Sequence, residues 1–430
     1  MSDAATSRAS STRPSIAPDL IADAAHPAGA AAALRSTNSI RQRAQALLAR
    51  ARRGASPWFA VNDSALYTTA VLVADVTQAR YPDLQIPYHS RWRHFEAGGV
   101  DRRALLDKAL GPAPREERAR AQIDLALISV LLDAGAGPGW KYLEMPLGNA
   151  YTRSEGLGVA SFRAFMTGLF SSDPAQPLRA DAPGLQALTP ARLADAFQVS
   201  SDNLLVGLEG RAELLRRLGT ALQERPDLFG RQIPRPGGLF DRLTAQPQGI
   251  QAHDLLSLLL IGLAPVWPAR NAIGEIALGD CWRHSAVRGP GLSDGWMPFH
   301  KLSQWLTYSL LEPFEWAGVP VGGLDALTGL PEYRNGGLLL DAGVLRLKDE
   351  ALARRLHQAG DEFIVEWRAL TVALLDELAP LVRGRLQLSE AQMPLACVLE
   401  GGTWAAGRLL AQRLRNGMPP LDIESDGTVF

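Results

Sequence analysis

Three polar side chains, Lys301, Gln304 and Tyr308, stand at spacing i, i+3, i+7, so a helix there gathers a cation, an amide and a phenol on one face. Leu302, Trp305, Leu306 and Leu310 form the apolar stripe beside it. A Gly-rich loop follows at once, holding Asp325, Glu332 and Arg334 and running on to Asp341. Charges gathered on a loop in apolar surroundings are costly unless they are paired or used. The chemistry on offer is anion binding by Lys301, adaptable hydrogen bonding by Gln304, and a fixed carboxylate that faces positive charge or activates water. Pro331 fixes the backbone before Glu332, and Gly336 and Gly337 let the chain approach a ligand closely. The plainer reading pairs Glu332 with Arg334 and leaves the helix face to solvent.

Two further clusters could join that site. On the expected helix Glu362–Val382, Arg368 borders an apolar stripe while Glu366, Asp376 and Glu377 fall on the polar side. An Arg in such company needs a carboxylate or a phosphate. Glu332 or Asp341 is the expected ion-pair partner, and direct ligand contact is the alternative. The second cluster joins Tyr88, His89, Trp92, His94 and Phe95 to Trp140–Glu144 and Thr152–Leu157. Its Trp and Tyr faces with interleaved Arg and His suit a planar or sugar ligand, or simply a core.

Other chemistries lack their signatures. No phosphate loop, HExxH, CxxC pair or GxSxG elbow occurs. Gly135, Gly137 and Gly139 follow a helix and not a strand, which fails the context test for a dinucleotide fold. His89 and His94 have no carboxylate at a familiar ligand spacing, so no metal site is expected. The two cysteines, Cys281 and Cys397, offer no disulfide framework and suit a reducing, cytoplasmic setting.

The net charge of −1 argues against nucleic acid or membrane surfaces as partners, since both call for a basic excess. The basic run Arg41–Arg53 reads as a solvated helix face. The longest apolar run, Leu255–Trp267, is broken by Pro265 and falls short of the about 18 residues a spanning helix needs. Residues 1–38, rich in Ala, Ser, Thr and Pro, read as a disordered tail.

Helical periodicity fills the rest, so residues 39–430 are expected to form a single large helical domain, mainly α, with a few short β-strands. The helices expected are Ser39–Arg53, Asp63–Arg80, Arg102–Ala109, Glu116–Ala134, Glu209–Glu224, His253–Leu263, Lys301–Trp316, Lys348–Gln358, Glu362–Val382 and Thr403–Arg415. Asp63, Asp361 and Thr403 are the expected caps. Strands are expected at Gly337–Leu340, near Ile423 and at Thr428–Phe430, with a turn at Asp426-Gly427.

Six segments carry a resemblance: HSRWRHFEAGGVDR (His89–Arg102), RSEGL (Arg153–Leu157), GLEGR (Gly207–Arg211), LTGLPEYRNGG (Leu327–Gly337), LEGGTW (Leu399–Trp404) and SDGTVF (Ser425–Phe430). From about residue 39 onward the chain resembles the uracil-catabolism protein family of fungi and bacteria, long a domain of unknown function. More distantly it is similar to the queuosine salvage family, queuosine 5′-phosphate N-glycosidases with a helical fold likened to DNA glycosylases. Phe299–Gln304 echoes that family's Phe-Tyr-Lys-Arg-Ala-Gln, Glu332-Tyr333-Arg334 its Asp-Tyr-Arg, and Glu366–Ala369 its Glu-Ile-Arg-Ala. The chain departs from it with Glu332 in place of Asp, Ser309 at a usually acidic place, and Asn335-Gly336-Gly337 in place of Val-Pro-Gln.

The resemblance implies hydrolysis of an N-ribosyl bond within pyrimidine breakdown, in a phosphorylated ribosylurea-type compound that releases urea. It implies Glu332 as the catalytic carboxylate with Asp325 as the alternative. Lys301 and Arg334 or Arg368 would hold phosphate, Gln304 and His94 would contact substrate, and Trp140 and Trp92 would cover it. No metal or organic cofactor is called for. A non-catalytic ligand-binding or scaffold subunit working with pathway enzymes, or a ribosyl transferase, is the alternative.

Overall fold

The computed structural model describes residues 23–145, 147–245, 249–267 and 271–424. The architecture is mainly α, and the strands pair two at a time into small separate sheets. Among the described residues no helix is long and apolar enough to cross a membrane.

Two helices form the centre. Lys301–Trp316 is buried on every side from Ser303 to Phe314. Its hydroxyl groups find carbonyl partners: Thr307 Oγ1 donates to the Ser303 carbonyl at 2.8 Å, Ser309 Oγ to Trp305 at 2.9 Å, and Tyr308 Oη to Thr328 at 2.9 Å. Arg115–Leu131 and Ala252–Gly262 pack against it. The second helix, Glu362–Leu386, packs against Thr37–Arg52 and Asp63–Arg80.

That packing corrects the expectation of a solvated basic face. Arg41 reaches Asp376 at 2.9 Å, Arg50 reaches Glu366 at 3.1 Å, and Arg52 reaches Glu377 at 2.6 Å. Three arginines of one helix thus meet three acids of the next. Arg43 is buried, and its Nη1 donates to the Trp296 carbonyl at 2.6 Å. Glu366, expected on a polar side, is fully buried and also meets His284 Nε2 at 3.1 Å.

Helical structure is already present before residue 39. Pro27–Leu34 is a helix whose Ala30, Ala31 and Leu34 bury against Ile273, Leu278, Cys281 and Trp296. The Leu34 carbonyl accepts from His300 Nε2 at 3.0 Å, which ties this short helix to the start of the central one.

Asp63–Arg80, Arg102–Ala109 and Lys301–Trp316 form with the expected bounds, and Glu362–Leu386 runs four residues beyond Val382. Lys348–Gln358 does not form a helix. Asp349 Oδ1 caps a 3-10 turn by accepting from Ala351 N–H at 2.9 Å, and Leu356–Gln358 pairs in parallel with Asp422–Glu424. Long-range pairing there outweighs local helix preference. Gly337–Leu340 is helical, within Tyr333–Asp341. A side chain on Gly336 would meet the Trp367 indole at 2.6 Å, so Gly336 serves helix packing. The expected strand at Ile423 forms as Asp422–Glu424. Thr428–Phe430 and the Asp426-Gly427 turn lie outside the described residues.

The expected caps are not made. Asp63 receives Arg52 at 2.6 Å, Asp361 accepts from the Gln358 N–H at 2.9 Å, and Thr403 continues a helical turn.

Candidate active site

The central helix enters the site with an unusual first step. His300 adopts a left-handed conformation, φ +50°, which a β-carbon disfavours. Asp280 holds this entry: its backbone carbonyl accepts from Phe299 and His300, and its Oδ2 accepts from the Lys301 N–H at 3.0 Å. Arg368 Nη1 and Nη2 in turn grip Oδ1 and Oδ2 of Asp280 at 2.7 and 2.8 Å. Burial pushes the Asp280 carboxyl up, but Arg368 and the N–H donors outweigh it and hold it at about 2. Arg368 therefore meets neither Glu332 nor Asp341, the partners expected from the sequence. Asp341 instead pairs with Arg415 at 2.5 Å.

Arg368 also carries the site's other half. Its Nε donates to the Pro331 carbonyl at 3.4 Å, one residue before Glu332. Glu332 caps the Tyr333–Asp341 helix, with Oε2 accepting from Arg334 N–H at 2.7 Å and Oε1 from Asn335 N–H at 2.6 Å. It does not pair with the Arg334 guanidinium, whose Nη1 donates to the Gly417 carbonyl at 3.2 Å. Burial raises the Glu332 carboxyl above its ordinary range, against the pull of the two N–H groups, Lys301 and His89. Yet the residue is not sealed, because part of its surface remains accessible.

Around Glu332, electrostatic reach, one ion pair and two ring contacts link charged and polar groups into a circuit. Lys301, lowered chiefly by burial and then by Arg368, lies within electrostatic reach of Glu332 and Asp133. Asp133 receives Arg91 Nη1 at 2.9 Å. The Arg91 guanidinium lies 5.7 Å from the Trp305 ring, and Trp305 meets His94 edge-on at 5.8 Å. Burial, reinforced by Arg91 and His89, pushes His94 far down, so it stands neutral. His89 completes the circuit, within reach of both His94 and Glu332.

Along this circuit Arg91 Nη2, His94 Nδ1 and Trp305 Nε1 are buried with no hydrogen-bond partner among the described residues, and so is the nearby Gln304 Nε2. Each such group costs about 1–3 kcal/mol. Four on adjoining side chains suit a polar ligand with several acceptors. Among the described residues no group of three or more His, Cys, Asp or Glu is arranged to hold a metal ion.

The remaining expected site residues divide. Gln304 Oε1 accepts from the Thr328 N–H at 3.3 Å, which ties the helix to the loop. Trp140 is core, its Nε1 donating to the Phe197 carbonyl at 3.0 Å. Trp92 is also core, bonded to the Ser309 carbonyl at 2.9 Å and packed edge-on against Trp316. Asp325 is exposed in a cleft of about 800 Å³ shared with Tyr88, Glu312 and Glu315, and Glu332 does not line that cleft.

Residues 33–430 match the family described as "Protein of unknown function (DUF1688)". The chain belongs to the DUF1688 family. It is 43% identical over 413 residues to "Protein urg3" of Schizosaccharomyces pombe, covering 93% of this chain and 98% of that one. It is 40% identical over 378 residues to "Uracil catabolism protein 4" of Lachancea kluyveri, covering 80% and 85% of the two.

In this DUF1688 chain, sequence reasoning missed Asp280, Asp133, Arg91 and Trp305 as parts of the site, and Glu400, whose Oε2 lies 2.8 Å from His89 Nδ1. Asp280 sits in a bend just before the short strand Cys281–Arg283, where no period marks it. Arg91 stood in view, in a short segment dense in Arg, His and Trp. Glu400 lies in a π-helical turn, Leu399–Thr403, inside an otherwise α-helical run, and sequence pattern gives no sign of such a turn.

Proposed function

We propose that this protein hydrolyses the N-ribosyl bond of a phosphorylated ribosylurea-type compound, releasing urea during uracil breakdown. The observation that carries the reading is the desolvated Glu332 carboxylate, gripped by two N–H groups and within electrostatic reach of Lys301, on a residue that keeps some exposed surface. Cleavage at an anomeric carbon builds positive charge on the sugar, and a fixed carboxylate in a low-dielectric site stabilises that charge or activates water. Each Glu332 oxygen keeps a lone pair after capping the helix. Lys301 supplies the cation for a phosphate, with Arg91 Nη2, Trp305 Nε1 and Gln304 Nε2 as further donors.

Two similarities support the chemistry. The Lachancea kluyveri relative is named for uracil catabolism. The Lys301 helix and the Glu332 turn resemble the matching segments of the queuosine 5′-phosphate N-glycosidases. In such a route uracil becomes UMP, its ring is opened, and a urea is left on ribose 5-phosphate. One N-glycosidic bond then separates that compound from free urea.

A second reading is a ligand-binding subunit without turnover, favoured by the use of both Glu332 oxygens in the helix cap. Mass spectrometry of the pure protein incubated with ribosylurea, with and without a 5-phosphate, separates the two. Urea and ribose 5-phosphate formed from the phosphorylated compound support hydrolysis. Saturable binding of the intact compound supports the second reading. Product only when a ribosyl acceptor other than water is added points to a transferase.

A further inference from the structure

His89 and Glu400 form a buried pair within electrostatic reach of the same circuit. Ring nitrogen Nδ1 of His89 lies 2.8 Å from Oε2 of Glu400. An ionised carboxylate only accepts, so Nδ1 carries the hydrogen and Nε2 is the nitrogen left to exchange a proton. Ring geometry turns Nε2 away from Glu400. Glu332, His94 and Glu400 feel the charge of this ring, Arg80 shares Glu400 with it, and Arg93 acts on His94.

Glu400 is held for this task. Arg80 Nη2 donates to its Oε1 at 2.8 Å, and Tyr81 Oη donates to the same oxygen at 3.2 Å. Burial raises this carboxyl, but the His89 and Arg80 contacts outweigh it and bring it to about 2. The residue is delivered by the π-helical turn Leu399–Thr403. Gly401 and Gly402 let that turn lie against Thr77 and Val73, where side chains would meet atoms at 2.9 and 2.6 Å. An unusual backbone turn, two packed glycines and three donors thus converge on one carboxylate that orients one imidazole, an arrangement met at functional sites.

We propose that His89 is the general acid of the reaction and Glu400 its positioning residue. This rests on the hydrolase reading above. As the C1′–N bond breaks, His89 Nε2 gives its proton to the departing urea nitrogen. Water oxygen bonds C1′, and the water proton passes to Glu332. Return of that proton from Glu332 to His89 restores the site, with one water consumed.

The test compares two substrates, ribosylurea 5-phosphate and 4-nitrophenyl riboside 5-phosphate, whose nitrophenolate leaves without protonation. His89→Ala is expected to slow urea release about 100- to 10,000-fold. It is expected to cleave the nitrophenyl compound within about threefold of the unmodified protein, which also shows that the variant is folded. Glu400→Gln is expected to fall between them on urea release and to leave nitrophenyl cleavage unchanged. Equal losses of His89→Ala on both substrates, or full urea release by it, would overturn the assignment while leaving the hydrolase reading in place. Failure of the unmodified protein on both substrates overturns both.

Discussion

Asp280 receives both terminal nitrogens of Arg368 and also the backbone N–H of Lys301. One carboxylate thereby joins the long Glu362–Leu386 helix to the first turn of the central helix. Through Arg368 Nε and the Pro331 carbonyl the same unit reaches the turn that bears Glu332. Lys301 and Glu332, 31 residues apart in sequence, are set by a single buried ion pair.

Breaking that pair is expected to be costly. Asp280→Asn or Arg368→Met leaves a buried charge unmatched and is expected to cost about 3–5 kcal/mol in chemical denaturation. The double variant is expected to cost less than the sum. Asp280 is held at about 2 against an ordinary 3.8, so its contribution is fully present above the ordinary value and fades as pH falls through about 2. That contribution is about 2 kcal/mol. A denaturation series from pH 5 to about pH 2 checks it: the difference between the unmodified protein and Asp280→Asn should shrink with acid.

The length of Glu332 sets the distance between carboxylate and sugar. Glu332→Asp keeps an acid and a favoured capping residue, so stability should change little. Retracting the carboxylate by one methylene is expected to cut turnover about 100-fold. Steady-state kinetics on ribosylurea 5-phosphate reads this directly, and undiminished turnover would place the reacting carbon elsewhere.

Lys301→Ala separates binding from chemistry. A cation that only holds phosphate contributes equally to ground and transition states, so KM should rise about 10- to 100-fold with kcat nearly unchanged. A collapse of kcat at saturating substrate would assign Lys301 to the transition state.

Gly402 and Gly384 make a matched pair of backbone tests. A methyl on Gly402 would meet the Val73 carbonyl oxygen at 2.6 Å, whereas on Gly384 it meets nothing within 4 Å. Gly402→Ala is expected to cost about 1–3 kcal/mol and to disturb Glu400. Gly384→Ala, in the exposed part of a helix, is expected to stabilise by about 0.4–1 kcal/mol. Thermal melts of the two variants should shift in opposite directions.

What the sequence made legible follows from period and proximity. The Lys301–Trp316 and Glu362–Leu386 helices could be read because their apolar residues repeat with the helix. Glu332 could be singled out because Pro331 and the following glycines frame it. The pairing of Arg368 with Asp280 could not be read, since 88 residues separate them and a loop carries the acid. Trp140 and Trp92 show the converse: as residue types they suit a ligand face, but their indole N–H groups bond to backbone carbonyls inside the core. The Arg41–Arg53 run misled for the same reason, because its partners Asp376, Glu366 and Glu377 lie more than 300 residues away.

The central claim is that Glu332 does chemistry and does not merely cap a helix. Gln at this position can accept from only one of the two N–H groups it faces, a loss of about 1 kcal/mol, partly offset by removing a buried charge. The decisive measurement sets binding of ribosylurea 5-phosphate to Glu332→Gln by calorimetry beside its rate of urea release. The account predicts a folded protein that binds within about tenfold of the unmodified one and releases urea at least about 1,000-fold more slowly. Binding and urea release both close to those of the unmodified protein would contradict it.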